Sequence, residues 1–172
     1  MAGHYQGEMT ERPTLLILWH SRTGASQAMA EAAAATARDE CAVRLIAAER
    51  AGPEDMLAAS GYIFVCPENL ASMTGAMKEF FDRCYYPLLG RIEGRPYAAM
   101  VAAGSDGAGA VRQIERIATG WRLKRIAESL IVCTHAQTPE AIAAPKHPDA
   151  AALAPCSELG AMFGAGLAMG IF

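Results

Sequence analysis

Residues 14–26 read Thr14-Leu15-Leu16-Ile17-Leu18-Trp19-His20-Ser21-Arg22-Thr23-Gly24-Ala25-Ser26, and an alanine-rich stretch follows. Thr14–Trp19 is an apolar run of strand length, which predicts a strand buried on both faces. A Ser/Thr/Gly turn comes next, and a helix starts in it. Such a turn aims several backbone N–H groups and hydroxyls at one point at a helix N-terminus. That makes an anion site, most often for a phosphate. The stretch lacks the Walker spacing with its Lys-Ser/Thr end, and also the three spaced glycines of a dinucleotide fingerprint. A cradle of hydroxyls and N–H groups suits a mononucleotide. A plain helix cap is the competing reading, but three hydroxyls around a glycine exceed what a cap requires.

Outward from this stretch, short buried runs alternate with helical patterns. Strands are expected at Thr14–Trp19, Val43–Ala47, Gly61–Cys66 (ended by Pro67), Pro96–Ala103 and Ser129–Thr134. Helices are expected at Gly24–Arg38, Gly52–Ala59, Thr74–Tyr86 (stopped by Pro87), Ala108–Gly120 and Cys156–Met169. Lys146-His147-Pro148 and the alanines after it read as a loose connection. Apolar strands alternating with helices predict an α/β fold, a parallel sheet covered on both faces. With the five strands in the order 2-1-3-4-5, ligands sit at the carboxyl ends of the strands, at the switch point between strands one and three. The loops after strands one, three and four are therefore the ones to inspect.

The first loop, His20–Ser26, is the cradle described above, and Arg22 adds charge to it. The second, Pro67 to Lys78, is longer than a turn requires, and long loops at this end of a sheet carry function. Leu70 and Met73 are apolar residues in that loop; either covers a planar ring or packs inward. The third, Ala103-Gly104-Ser105-Asp106-Gly107-Ala108-Gly109, lets the backbone come close to a ligand. Asp106 suits a helix cap better than a ligand contact.

Composition narrows the class. At 172 residues and 52% hydrophobic content, the chain can bury a core as one domain. That domain is expected over residues 14–172, with residues 1–13 a disordered lead-in. A net charge of −3 gives no basic face for nucleic acid. Charge, Gly or Ser interrupts the apolar runs before the roughly 20 residues of a membrane span, and the polar N-terminus is unlike a signal peptide. Five dispersed cysteines without a Cys-x-x-Cys pair predict reduced thiols in a cytoplasmic protein. Four unpaired histidines predict no metal site. Tyr85, Tyr86 and Trp121 are either interface anchors or core residues.

These motifs together resemble the flavodoxin-like superfamily, within it the FMN-dependent NAD(P)H:quinone oxidoreductases and NADPH-dependent FMN reductases. His20 to Ser26 is similar to their phosphate loop. Pro67 to Met73, with Gly75-Ala76-Met77-Lys78-Glu79-Phe80-Phe81-Asp82-Arg83, is similar to the Pro-x-x-x-Gly-x-Met-x-Gly-x-Met-Lys-x-Phe-x-Asp run of the quinone reductase branch, with Ala71 at the usual first Gly. Leu159-Gly160, Gly166-Leu167 and Gly170-Ile171-Phe172 resemble their closing helix.

The resemblance implies a flavodoxin-like three-layer sandwich that binds FMN and takes NAD(P)H as co-substrate. Ser21, Arg22, Thr23, Gly24, Ala25 and Ser26 would hold the phosphate. Pro67, Glu68, Asn69, Leu70, Ala71, Ser72 and Met73 would flank the isoalloxazine, and Ala103, Gly104, Ser105 and Gly107 would close its other edge. Hydride would pass from NAD(P)H through flavin N5 to a quinone or similar acceptor, with no catalytic side chain required. The alternative is a flavodoxin-type electron carrier without nicotinamide activity. Carriers usually stack aromatics on the ring, and loops two and three have none. The family also implies a homodimer or homotetramer.

Overall fold

A computed structural model describes residues 11–172, so most of the expected lead-in lies outside the described residues. Strand β1 (Thr14–Trp19) is central, and its four middle residues are fully buried. Helix α1 (Ala25–Ala37), strand β2 (Ala42–Ala47), helix α2 (Pro53–Ala58) and strand β3 (Gly61–Asn69) follow. Next come the two-residue strand β4 (Ser72–Met73), helix α3 (Gly75–Leu88), strand β5 (Pro96–Ala103) and helix α4 (Ala108–Gly120). The chain ends with strands β6 (Lys124–Arg125) and β7 (Leu130–Cys133), helix α5 (Pro139–Ala143) and helix α6 (Ala150–Ala168).

The parallel sheet runs β2-β1-β3-β5, and β5 pairs on its outer edge with β6 and then β7. β6 sits opposite Pro96 and Tyr97, and β7 sits opposite Met100 to Ala103. Together they form one interrupted edge strand, so the expected five-position order holds. β4 is the exception, an antiparallel partner of the end of β3.

Strand alternation divides the core in two. Leu16, Leu18, Tyr62 and Phe64 face one layer with Phe80, Phe81, Ile114 and Trp121. Leu15, Ile17, Ile63 and Val65 face the other with Met29, Ala33, Leu159 and Phe163. Trp121 is thus a core residue, whereas Tyr85 and Tyr86 are exposed. The alanines of α1 and the glycines of α6 allow close helix crossing: a Cβ on Gly160 would strike the Ala33 carbonyl. This contact explains why α6, long and apolar enough to cross a membrane by length and composition, lies packed on α1.

Three boundaries differ from expectation by more than one residue. β3 continues through Pro67, which pairs with Ala102, because the turn lies beyond it at Leu70-Ala71. α3 passes through Pro87 for one more residue instead of stopping there. α6 starts at Ala150, six residues early, because Asp149 caps it by accepting a 2.8 Å bond from Ala152 N–H.

Candidate functional site

The carboxyl ends of β1, β3 and β5 meet in a cleft of about 450 Å³, part of it open to solvent. From the first loop, Ser21, Arg22, Thr23, Ala25 and Ser26 line it. Gly24 is the residue before α1 and takes φ 107°, a left-handed conformation that glycine adopts without strain. Its N–H donates to the Ser21 hydroxyl at 3.0 Å, which folds the turn around the helix end. Ser26 is 1% exposed, and its hydroxyl has no hydrogen-bond partner among the described residues. A buried hydroxyl without a partner is costly, and here it lines a cleft at a helix N-terminus. The geometry is therefore that of an anion cradle with one donor waiting.

Pro67, Glu68 and Asn69 line the second wall, and Ala102, Ala103 and Gly104 the third. The other expected residues sit elsewhere. Leu70 and Ala71 form the β3–β4 turn, with φ 53° and 59°. Positive φ at both central residues is what a type I′ hairpin demands. Leu70 is fully exposed at the tip, and Ala71 lies against Gly109 of α4. Ser72 donates to the Gln113 side chain at 2.9 Å, and Met73 packs into the core. Ser105 is exposed beside the β5–α4 turn, and Gly107 is the residue before α4.

Glu68 has a specific task. Its carboxylate accepts from Gly107 N–H at 2.9 Å and from Ala110 N–H at 3.0 Å. A side chain on β3 thus caps α4, while Asp106 accepts locally from Ala108 N–H at 3.2 Å.

A fourth wall was not expected from sequence. Thr134, Ala136, Ile142 and Lys146 come from the segment after β7. Backbone bonds fix this strap across the cleft at both ends: Thr134 N–H to Ala103 O and His135 N–H to Gly104 O, then Lys146 N–H to Thr23 O at 2.7 Å. Proline at the first turn and Thr138 as cap build the short helix α5 within it. The Pro139 and Thr138 cap signal was present in the sequence, in a stretch short enough to read as a connection.

Behind the first loop, buried His20 joins two elements. Its Nδ1 lies 2.8 Å from the Thr74 hydroxyl, and its Nε2 lies 3.3 Å from Glu49. A neutral ring that donates from Nε2 accepts at Nδ1, satisfying both contacts. Burial holds its pKa below the ordinary value, against the pull of Glu49. Burial also pushes the Cys66 thiol up to about 12, which disfavours the thiolate that a nucleophile needs. Among the described residues, no cluster of three metal-ligating side chains occurs.

With the site in view, comparison with known proteins places the chain. Residues 50–137, just over half of it, match the family described as NADPH-dependent FMN reductase. The chain belongs to this family. The NADPH-dependent FMN reductase match covers β3, β5, α4 and the strap's first residues, hence two walls of the cleft. A flavodoxin of Aquifex aeolicus is 35% identical over 97 residues, which is 55% of this chain. The chain spans about half the length of that curated relative (52%).

Among solved structures, a flavodoxin from the domain Archaea superposes with a TM-score of 0.73 at 16% identity, covering 90% of this chain and 98% of its own. A WrbA-like flavodoxin from Agrobacterium tumefaciens gives 0.62 at 20% identity, covering 91% and 96%. At such identities these likenesses establish the flavodoxin-like fold. The fold and the family bear out the resemblance read from the sequence.

Proposed function

We propose that this protein is an FMN-dependent reductase that takes hydride from NAD(P)H and delivers it to a quinone or similar small acceptor. The observation that carries the cofactor assignment is the unpartnered, buried Ser26 hydroxyl in the turn before α1. A phosphate there gives Ser26 the acceptor it lacks. The Gly24 turn and the positive end of α1 favour its charge, and Arg22 adds a cation. Ser21, Thr23 and Ala25 complete the phosphate side.

Pro67, Glu68 and Asn69 on one wall and Ala103 and Gly104 on another flank the ring. A Cβ on Gly104 would lie 3.2 Å from the Ala136 carbonyl, so the strap approaches the wall where there is no side chain to hold it off. Bound FMN supplies the hydride and electron chemistry, and the protein supplies position and exclusion of water. Among the described residues, none that lines the cleft is aromatic. Without a stacked aromatic, a ring face is left for a second planar substrate, which supports a reductase over a dedicated carrier.

The test is anaerobic. NADPH or NADH should remove the visible flavin absorbance of the FMN-loaded protein, and a quinone should restore it. Failure of both nucleotides to do so contradicts the reductase reading. The 35% identity to a flavodoxin supports the second reading, an electron carrier. It would then be reduced by dithionite but by neither nucleotide. The homodimer or homotetramer expected from the family is part of the proposal, and light scattering of the purified protein decides it.

A further inference from the structure

The walls on either side of the proposed ring slot are tied together by one side chain. Glu68 reaches from the end of β3 to the N-terminus of α4, 39 and 42 residues later in sequence, and takes two backbone N–H groups there. The β3–β4 turn lies against the same helix end: a Cβ on Gly109 would strike the Ala71 carbonyl and lie 3.2 Å from Glu68 Oε2. Gln113 extends the seam one turn further, its Oε1 accepting from Met73 N–H at 2.8 Å. Of the α4 lead-in, Gly104 lines the cleft, and the helix itself starts four residues later. A free helix N-terminus at that point would attract an anion of its own.

We propose that Glu68 is a positioning residue. Its carboxylate clamps β3 to the start of α4, setting the width of the slot that takes the flavin ring, and fills that helix end so that the ligand's phosphate goes to α1. The clamp itself rests on the contacts above; the service to a flavin ring rests on the proposed function. An ionised carboxylate is suited to this task because it accepts both N–H bonds at once. A glutamine accepts one and turns an NH2 group toward the other donor.

The experiment compares wild type, Glu68→Gln and Glu68→Ala, without ligand and with FMN or riboflavin. Without ligand, both variants should melt lower, by about 5 °C for the loss of charge-assisted bonds in a domain of this size. Acetate should raise the melting temperature of Glu68→Ala more than that of wild type at matched ionic strength, since it can replace the missing carboxylate.

With ligand, Glu68→Gln should weaken FMN and riboflavin by the same factor, about tenfold. A ring clamp acts on both, whereas a phosphate contact acts on FMN alone. Variants as stable as wild type, or a lack of selective response to acetate, overturn the clamp. Unchanged riboflavin affinity overturns its service to the ring. If wild type binds neither flavin, the proposed function fails, while the melting and acetate measurements still decide the clamp.

Discussion

Helices α1 and α4 start in nearly the same way. Gly24 (φ 107°, ψ −19°) and Gly107 (φ 90°, ψ −17°) both precede a 13-residue helix, and neither helix has a side-chain cap at that residue. At α4 the donors are taken by Glu68 from a neighbouring strand. At α1 no carboxylate arrives from the described residues, and a buried hydroxyl is left without a partner among them. Local backbone geometry favours an anion in both places, and at α1 the proposed function puts a phosphate there. The tertiary neighbour decides whether it is filled from within or left for a ligand.

The comparison can be broken most severely at the filled end. Gly109→Ala places a methyl against the Ala71 carbonyl, a backbone atom that cannot move freely. Stability should fall by about 3 kcal/mol in urea unfolding despite the better helix propensity of alanine. At the open end, Gly24→Ala puts a Cβ on a left-handed residue, 3.1 Å from the Lys146 carbonyl. A loss of about 2 kcal/mol is expected, with FMN affinity falling as the strap shifts.

Ser26→Ala sharpens the contrast. Removing an unpaired buried hydroxyl should leave the ligand-free protein as stable or about 1 kcal/mol more so, while FMN binding weakens about tenfold. Ala71→Gly should raise stability by about 0.5–1 kcal/mol in the same unfolding assay, by removing left-handed strain from the turn that seats on α4.

The smallest effect is pH-linked. His20 is buried, and its folded pKa lies below its unfolded value of about 6.5. Between the two values the unfolded chain binds the proton and the native chain does not, so stability rises with pH across that window. The contribution is complete above the unfolded pKa and is lost as pH falls toward the folded one. The urea midpoint of wild type should therefore fall on acidification below about pH 6.5. His20→Asn should have a flatter dependence.

Much of this was legible in the chain because it was local. The β1 run, the turn with Gly24 and the alanines of α1 are consecutive, so one reading fixed strand, cradle and helix together. The strand order followed from apolar runs spaced by helices. What escaped was tertiary or unmarked. Leu70-Ala71 makes a hairpin turn that its sequence does not announce, since Asn-Gly or Asp-Gly is the usual signal. Loop two therefore read as one long ligand-binding segment, when its tip points to solvent and its end packs inward. The task of Glu68 depends on partners some 40 residues away, and no pattern in loop two reveals it. The strap was missed because α5 has five residues and its hold on the cleft is by backbone bonds at Ala103, Gly104 and Thr23.

The central claim is that the open α1 end holds the phosphate of a flavin mononucleotide. Fluorescence titration of the ligand-free protein with FMN and with riboflavin tests it most directly. The account predicts that wild type binds FMN far more tightly than riboflavin, and that Ser26→Ala narrows the gap by weakening FMN alone. Equal affinity of wild type for the two flavins, or binding of neither, would contradict it.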